Sequence, residues 1–306
     1  MDKETLSNYG WIVILVLILA VMLALATPFG TFVADAIKST TQGLFDVNQS
    51  ALNSTGLINI DGQSFGEGGN GGQGGAGDQG ETNTLPEVGK TAEEYTWDEI
   101  KAISEAGKGD EYFNLGDTKT FPTTDGKEIV MEIVAFNADT KADGTGTAGI
   151  TWLSKNVISN HVANSNNSNV GGWEQSELRS WLKNDLYNKL PADVVQAIVE
   201  VNKTYLYYDS GSKTIGTCVD NVWIPSVYEI FGGTSFETSG ATYSNIFGGS
   251  GNNARIKYTN SGDKETWWLR STDWDGSVNW WCVRYTNSGA EESSNKSNGI
   301  VLGFCT

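Results

Sequence analysis

His161 is the only histidine among 306 residues, so no second imidazole can join it as a metal ligand or proton relay. It sits in a stretch of Asn and Ser, which predicts a surface or loop-bracing role. Cys218, Cys282 and Cys305 are the only thiols. One His and three Cys leave little room for a zinc site, which takes four such ligands. Asp273 and Asp275 alternate in a turn, with Glu291 and Glu292 downstream. Hard cations take such oxygens, but the fixed spacing of a calcium loop is missing, and an acidic, solvated turn is expected. No convergent set of His, Cys or paired carboxylates stands out for catalysis. The chain therefore reads as a non-enzyme with no cofactor and no metal.

What remains is the chemistry of recognition. Five of the eleven Trp lie between Trp267 and Trp281. Alternation along Val278 to Tyr285 puts Trp281, Val283 and Tyr285 on one face, expected inward, and Trp280, Cys282 and Arg284 on the other. An aromatic beside an Arg is a common hot-spot composition. Asp273, Asp275, Ser277, Asn279, Thr286, Ser294, Asn295 and Ser297 surround them with adaptable hydrogen-bonding groups of the kind paratopes use. These eight, with Trp280, Cys282 and Arg284, are the candidate ligand-binding residues. A Trp-rich core with a polar rim is the competing reading.

Lys plus Arg number 20 against 37 Asp plus Glu, a formal net charge of −17. That charge repels a phosphate backbone and excludes nucleic acid as the expected partner. The abundance of Asn, Ser, Thr, Gly and Trp suits an extracellular, loop-rich domain.

The elements that position these residues begin with a membrane segment. No charge occurs from Thr5 to Ala34, and Trp11 to Ala26 reads WIVILVLILAVMLALA. About 20 apolar residues cross a bilayer, so residues 11–33 are long enough, with Tyr9 and Trp11 suited to the headgroup level. Ala24-Leu25-Ala26 fits a signal-peptide cleavage site, but the leader is not basic and the apolar run is long for one. A retained single-pass anchor, with the C-terminal bulk outside the cell, is favoured. From Asp61 to Gly80 half of the residues are Gly, a composition that behaves as a flexible tether. Residues 1–50 thus form an anchor, 51–90 a linker and 91–306 a globular domain.

Within that domain Thr96-Trp97-Asp98-Glu99 reads as a capping box, with Gly107 ending the helix. Lys127 to Ala135 and Ile150 to Val157 read as strands. Trp173 to Leu186 is amphipathic at helical spacing, and Pro191 opens another helix. Short strands follow at Val222 to Pro225, Trp267 to Arg270, Val278 to Tyr285 and Gly299 to Phe304. Helices early and strands late predict an α+β domain with an antiparallel sheet.

The series TWDEI, GKGDEYFNLGD, GGWEQSELRSWL, LPADVVQAI, DNVWIPSVYEIFG, WWLRS and GIVLGFCT resembles a bacterial domain found in surface and phage-associated proteins, across about residues 91–306. That domain is similar in fold to the C-type-lectin and formylglycine-generating-enzyme superfamily. The resemblance implies two helices packed on a twisted sheet, with a ligand-binding face on the last strands. It also implies kinship with the variable proteins of diversity-generating retroelements, whose mutated region begins near a motif matching Trp268 to Ser271. The chain departs from relatives at Thr272 and Asp273, where Ser-Pro is usual, and at Ile300-Val301-Leu302, where Arg-Pro is usual. The lectin-like fold would allow Cys282 to pair with Cys305. The copper chemistry of the formylglycine enzymes is not carried over, because no motif matches its cysteine pair. The N-terminal 50 residues resemble Flp-type pilins, although Asn8 stands where a Glu would precede Tyr9. The expected function is a membrane-anchored surface protein binding an extracellular protein or glycan, with a pilin-like filament subunit as one alternative and an enzyme of the formylglycine-generating superfamily as the other.

Overall fold

A computed structural model describes residues 85–209, 212–232, 240–273 and 278–306. The expected anchor, nearly all of the linker, Asp275 and Ser277 lie outside the described residues. Among the described residues no helix is long and apolar enough to cross a membrane.

Helix α1 (Trp97–Glu105) forms where the capping box predicts it. Thr96 Oγ1 accepts from the Glu99 N–H at 3.1 Å, and Glu99 Oε2 accepts from the Thr96 N–H at 2.7 Å. Two otherwise orphaned donors are satisfied at once. Ile100 and Ile103, three apart, face the core and are fully buried. Trp97 packs edge-on against Trp152 and Phe304. Thr96→Ala is expected to destabilise the domain by about 1 kcal/mol. A urea titration that leaves the midpoint unmoved would contradict this.

After the short helix α2 (Gly109–Tyr112) come β1 (Thr118–Pro122), β2 (Glu128–Phe136), β3 (Ile150–Ser154) and β4 (Ser159–His161). The amphipathic stretch from Trp173 is not one helix. It divides into a 3-10 turn (Trp173–Gln175), α3 (Glu177–Trp181), a π turn (Leu182–Leu186) and a 3-10 turn (Tyr187–Lys189). Ser176 is the reason, because its hydroxyl accepts from the Arg179 N–H at 3.1 Å and starts the α-helix there. Gly172 has φ +57°, and a Cβ on it would meet Tyr207 Cβ at 2.6 Å. Gly172 is thus needed for the chain to turn against Tyr205 and Tyr207.

Helix α4 (Ala192–Ala197) leads into β5 (Val201–Asp209) and β6 (Ser212–Asp220), a hairpin paired over its whole length. Short helices α5 (Val227–Phe231) and α6 (Ser244–Phe247) follow, then β7 (Lys257–Tyr258), β8 (Lys264–Glu265), β9 (Trp267–Thr272), β10 (Asn279–Val283), β11 (Gly289–Ser293), β12 (Asn298–Ile300) and β13 (Gly303–Cys305). Val222 to Pro225 makes only a bridge, from Trp223 to Gly303. A Cβ at Gly303 would meet the Trp223 ring at 2.3 Å, so only glycine lets this bridge close.

The fold is α+β with largely antiparallel sheets. One sheet has the order β1-β2-β3-β13 and the other β11-β10-β9-β12-β4. The expected single strand Gly299 to Phe304 is broken at Val301-Leu302, and its halves enter different sheets. Ser154 fixes the crossing: its N–H donates to Leu302 O at 2.7 Å, and its hydroxyl accepts from the Leu302 N–H. One closing segment therefore joins both sheets around a core that fully buries Trp152, Trp173, Trp223, Trp267, Trp268 and Trp280.

Candidate binding face and a buried charge centre

β10 lies between β11 and β9, which pair with its two edges. Trp280 and Cys282, expected to face a ligand, are fully buried, and so is Val283. This corrects the sequence-based assignment. Alternation was the right period but the phase was inverted: Trp280 and Cys282 take the core side, while Asn279 and Trp281, the latter expected inward, are only half-buried on the other. Ser294 is buried too. Its carbonyl accepts from the Ala163 and Asn164 N–H groups, and its own N–H donates to Val278 O. It staples the 163–164 segment to the sheet. Asp273 is also buried, and Asn279 is half-buried. Cys282 and Cys305 are unbonded, as is Cys218. The pairing allowed by the lectin-like resemblance is absent, and β10 and β13 belong to different sheets.

Four candidates are exposed: Arg284, Thr286, Asn295 and Ser297. Arg284 and Thr286 sit in the turn joining β10 to β11. Asn295 and Ser297 sit in the turn from β11 to β12, at the other end of the strand. The five residues of β11, at roughly 3.3 Å each, separate the two turns.

The β10–β11 turn carries the more distinctive surface. Tyr285, expected in the core, is 54% exposed. It lies beyond the last paired residue of β10, where alternation no longer applies. The turn is closed by the Arg284 N–H donating to Ser288 O and the Asn287 N–H to Arg284 O, both at 2.8 Å. Asn287 takes φ +68°, a left-handed geometry that Asn tolerates. Its side-chain amide donates to Gly251 O and Asn253 Oδ1, each at 3.3 Å. Two loops are thereby joined.

The 249–255 loop is itself anchored. Asn252 Nδ2 donates to Ile246 O and Gly248 O at 2.8 Å. Arg255 donates to Gly249 O, and its guanidinium lies 4.4 Å from the Phe231 ring. Trp267 Nε1 donates to Arg255 O at 2.9 Å. Tyr285, Arg284, Thr286, Ser288 and Asn253 thus crown a braced double loop. Asn253 and Ser288 lay outside the expected set. A Gly-Ser-Gly-Asn-Asn stretch ahead of a strand was the available signal for the second loop.

A second feature escaped the sequence reading. Lys203, Asp139, Glu229 and Arg270 form a charge centre whose side chains are at most 2% exposed. Lys203 Nζ lies 2.6 Å from Asp139 Oδ1 and 2.7 Å from Glu229 Oε1. Arg270 grips Glu229 with both terminal nitrogens, at 2.6 and 2.7 Å. Its remaining contacts include Thr204 O and Ile224 O. Burial works against a charge on Glu229, but Arg270 and Lys203 outweigh it and hold the carboxyl down to about 2. Asp139 and Glu229 also border an open cleft of about 560 Å³ lined by Thr140, Asn202, Thr217 and Ala241. The visible signal was a charge inside the wholly buried strand Trp267–Thr272.

Asp220 forms a third buried knot. It accepts from Trp173 Nε1 and Arg179 Nε, each at 2.7 Å, and Cys218 Sγ lies 3.3 Å away. Burial, reinforced by Asp220, pushes the Cys218 thiol up to about 12, and burial does the same to Cys282. Both thiols stay protonated and unreactive at neutral pH. His161 stacks on Trp181 at 4.8 Å, and Trp268 Nε1 donates to its carbonyl. Among the described residues no three His, Cys, Asp or Glu are grouped to hold a metal ion.

Residues 148–304 match a family described as "Domain of unknown function (DUF6273)". The matched segment spans just over half of the chain. The chain belongs to this family. No curated protein and no solved structure matches the chain. The DUF6273 segment contains both loops of the braced surface and three members of the charge centre. Asp139 alone is contributed from ahead of it, by the segment that follows β2.

Proposed function

We propose that this protein is a membrane-anchored cell-surface binding protein whose lectin-like domain captures an extracellular protein or glycan without chemically changing it. The observation that carries this reading is Tyr285: a large aromatic more than half exposed, next in sequence to the exposed Arg284, on a turn braced by a neighbouring loop. Exposed aromatic and Arg side chains concentrate binding energy in few contacts. Holding them rigid before binding removes part of the ordering cost. The surrounding Ser, Thr and Asn supply hydrogen bonds that adapt to a partner.

The apolar run at residues 11–33 and the Gly-rich stretch that follows support an anchor and a tether for a domain held outside the cell. The lectin-like plan is supported by the closing strand β13 returning to pair with β3 while the preceding strands carry the exposed loops. The test is capture by the detergent-solubilised full chain on arrays of glycans and of extracellular proteins. A discrete, saturable ligand recovered unaltered is expected. Chemical conversion of the captured ligand, or no capture on either array, would count against the reading.

A further inference from the structure

The charge centre holds more reactive geometry than a structural ion pair needs. Lys203 Nζ touches two carboxylates at once, Asp139 at 2.6 Å and Glu229 at 2.7 Å, with Tyr243 Oη 3.0 Å away. The Trp223 ring caps it at 3.5 Å. Arg270 neutralises Glu229 through its two-pronged contact. Lys203 and Asp139 are left in direct contact, the amine nitrogen 2.6 Å from a carboxyl oxygen. The other oxygen of Asp139, Oδ2, accepts from Thr151 Oγ1 at 2.7 Å and Tyr243 Oη at 3.1 Å.

We infer that Lys203 and Asp139 join in an intramolecular amide bond that the folded chain makes for itself, with Glu229 as a positioning residue that holds the lysine against Asp139. Lys203 first gives a proton to Asp139 Oδ1, leaving a neutral amine against a neutral carboxyl. The Nζ lone pair attacks Cγ and the C–N bond forms. Negative charge moves onto Oδ2, where Thr151 and Tyr243 already donate, the arrangement of an oxyanion hole. The nitrogen passes a proton to Oδ1, the oxygen it already contacts at 2.6 Å. The C–Oδ1 bond breaks and one water leaves. An amine and a carboxylic acid become an amide and water, and no oxidant or co-reactant is consumed. The cleft bordered by Asp139 and Glu229 gives the water an exit. Fixing the amine against the carboxyl supplies the proximity such a reaction requires.

The bond would tie the segment after β2 to β5 across 64 residues of sequence. A covalent link of that span restricts the unfolded chain as a disulfide does. The three cysteines of this chain are all unbonded and supply no such link.

The full-length protein, purified, denatured and proteolysed, tests this by mass spectrometry. The expected result is a branched peptide containing Asp139 and Lys203, lighter by one water than its two linear parts together. Thr151→Val, which keeps the side chain's shape and removes only the hydroxyl that donates to Asp139 Oδ2, is expected to leave most chains linear, with near-ultraviolet circular dichroism retained. Linear peptides from the wild-type chain, with Lys203 open to an amine reagent in denaturant, would overturn the bond. A branched peptide formed in full in Thr151→Val would overturn the oxyanion role of Thr151.

Discussion

Lys257→Met is expected to stabilise the domain by roughly 3 kcal/mol at pH 7. Lys257 is 2% exposed on β7. Its ammonium donates to Ser154 O at 3.2 Å and lies 5.4 Å from the Phe247 ring. Among the described residues no carboxylate forms an ion pair with it. Burial drives its pKa from 10.5 down to about 8, with Glu132 opposing weakly and Lys155 adding to the fall. A tenfold change in proton affinity is worth about 1.4 kcal/mol between the two protonation states. Met has similar length and needs no partner.

The sign in pH follows from linkage. Below about pH 8 both folded and unfolded chains hold the proton, and the full penalty applies. Between about 8 and 10.5 the folded chain has released it while the unfolded chain keeps it. The wild type therefore gains on the variant through that window as pH rises, until the two differ little. Urea midpoints of both proteins from pH 7 to 10.5 check this. A gap that does not narrow would show that Lys257 is not the group responsible.

Arg270→Met is expected to cost about 3–5 kcal/mol, because it strips the bidentate partner from a fully buried Glu229. The Thr204 and Ile224 carbonyls lose a donor at the same time. Removing one partner of a buried pair leaves a desolvated charge, which is costlier than never burying the pair. A domain of this size has only about 5–15 kcal/mol in total, so a large fraction of the variant should unfold at physiological temperature. Differential scanning calorimetry reads this directly. A loss below about 1 kcal/mol would show that water reaches Glu229 in place of the guanidinium.

Local signals in the sequence were sound where one residue controls one hydrogen bond. Thr96 and Glu99 mark a helix start correctly because the capping box is a contact between near neighbours. The strands around Ile129–Ala135 and Trp267–Thr272 were legible from apolar runs. What failed depended on distant partners. The β5–β6 hairpin was hidden because Lys203 faces inward, interrupting the apolar pattern of a strand, and its reason for doing so lies in Asp139 and Glu229. The phase of β10 was misread because its alternation marks two faces without saying which meets the core, and that is decided by distant residues packed on the sheet. Tyr285 reached the surface because the strand ended before it. Arg284 and Thr286 were legible as surface residues, whereas Asn253 and Ser288 join them through a contact across the fold.

The central claim, recognition through the braced double loop, is tested most directly by equilibrium titration of an array-captured ligand against the full-length wild type and the double variant Tyr285→Ala with Arg284→Ala. Both residues are exposed, so melting temperatures should agree within a few degrees. The account predicts at least a hundredfold weaker binding by the variant, the scale of losing two hot-spot side chains. Equal affinity in an equally stable variant would contradict it and move the binding face elsewhere on the domain.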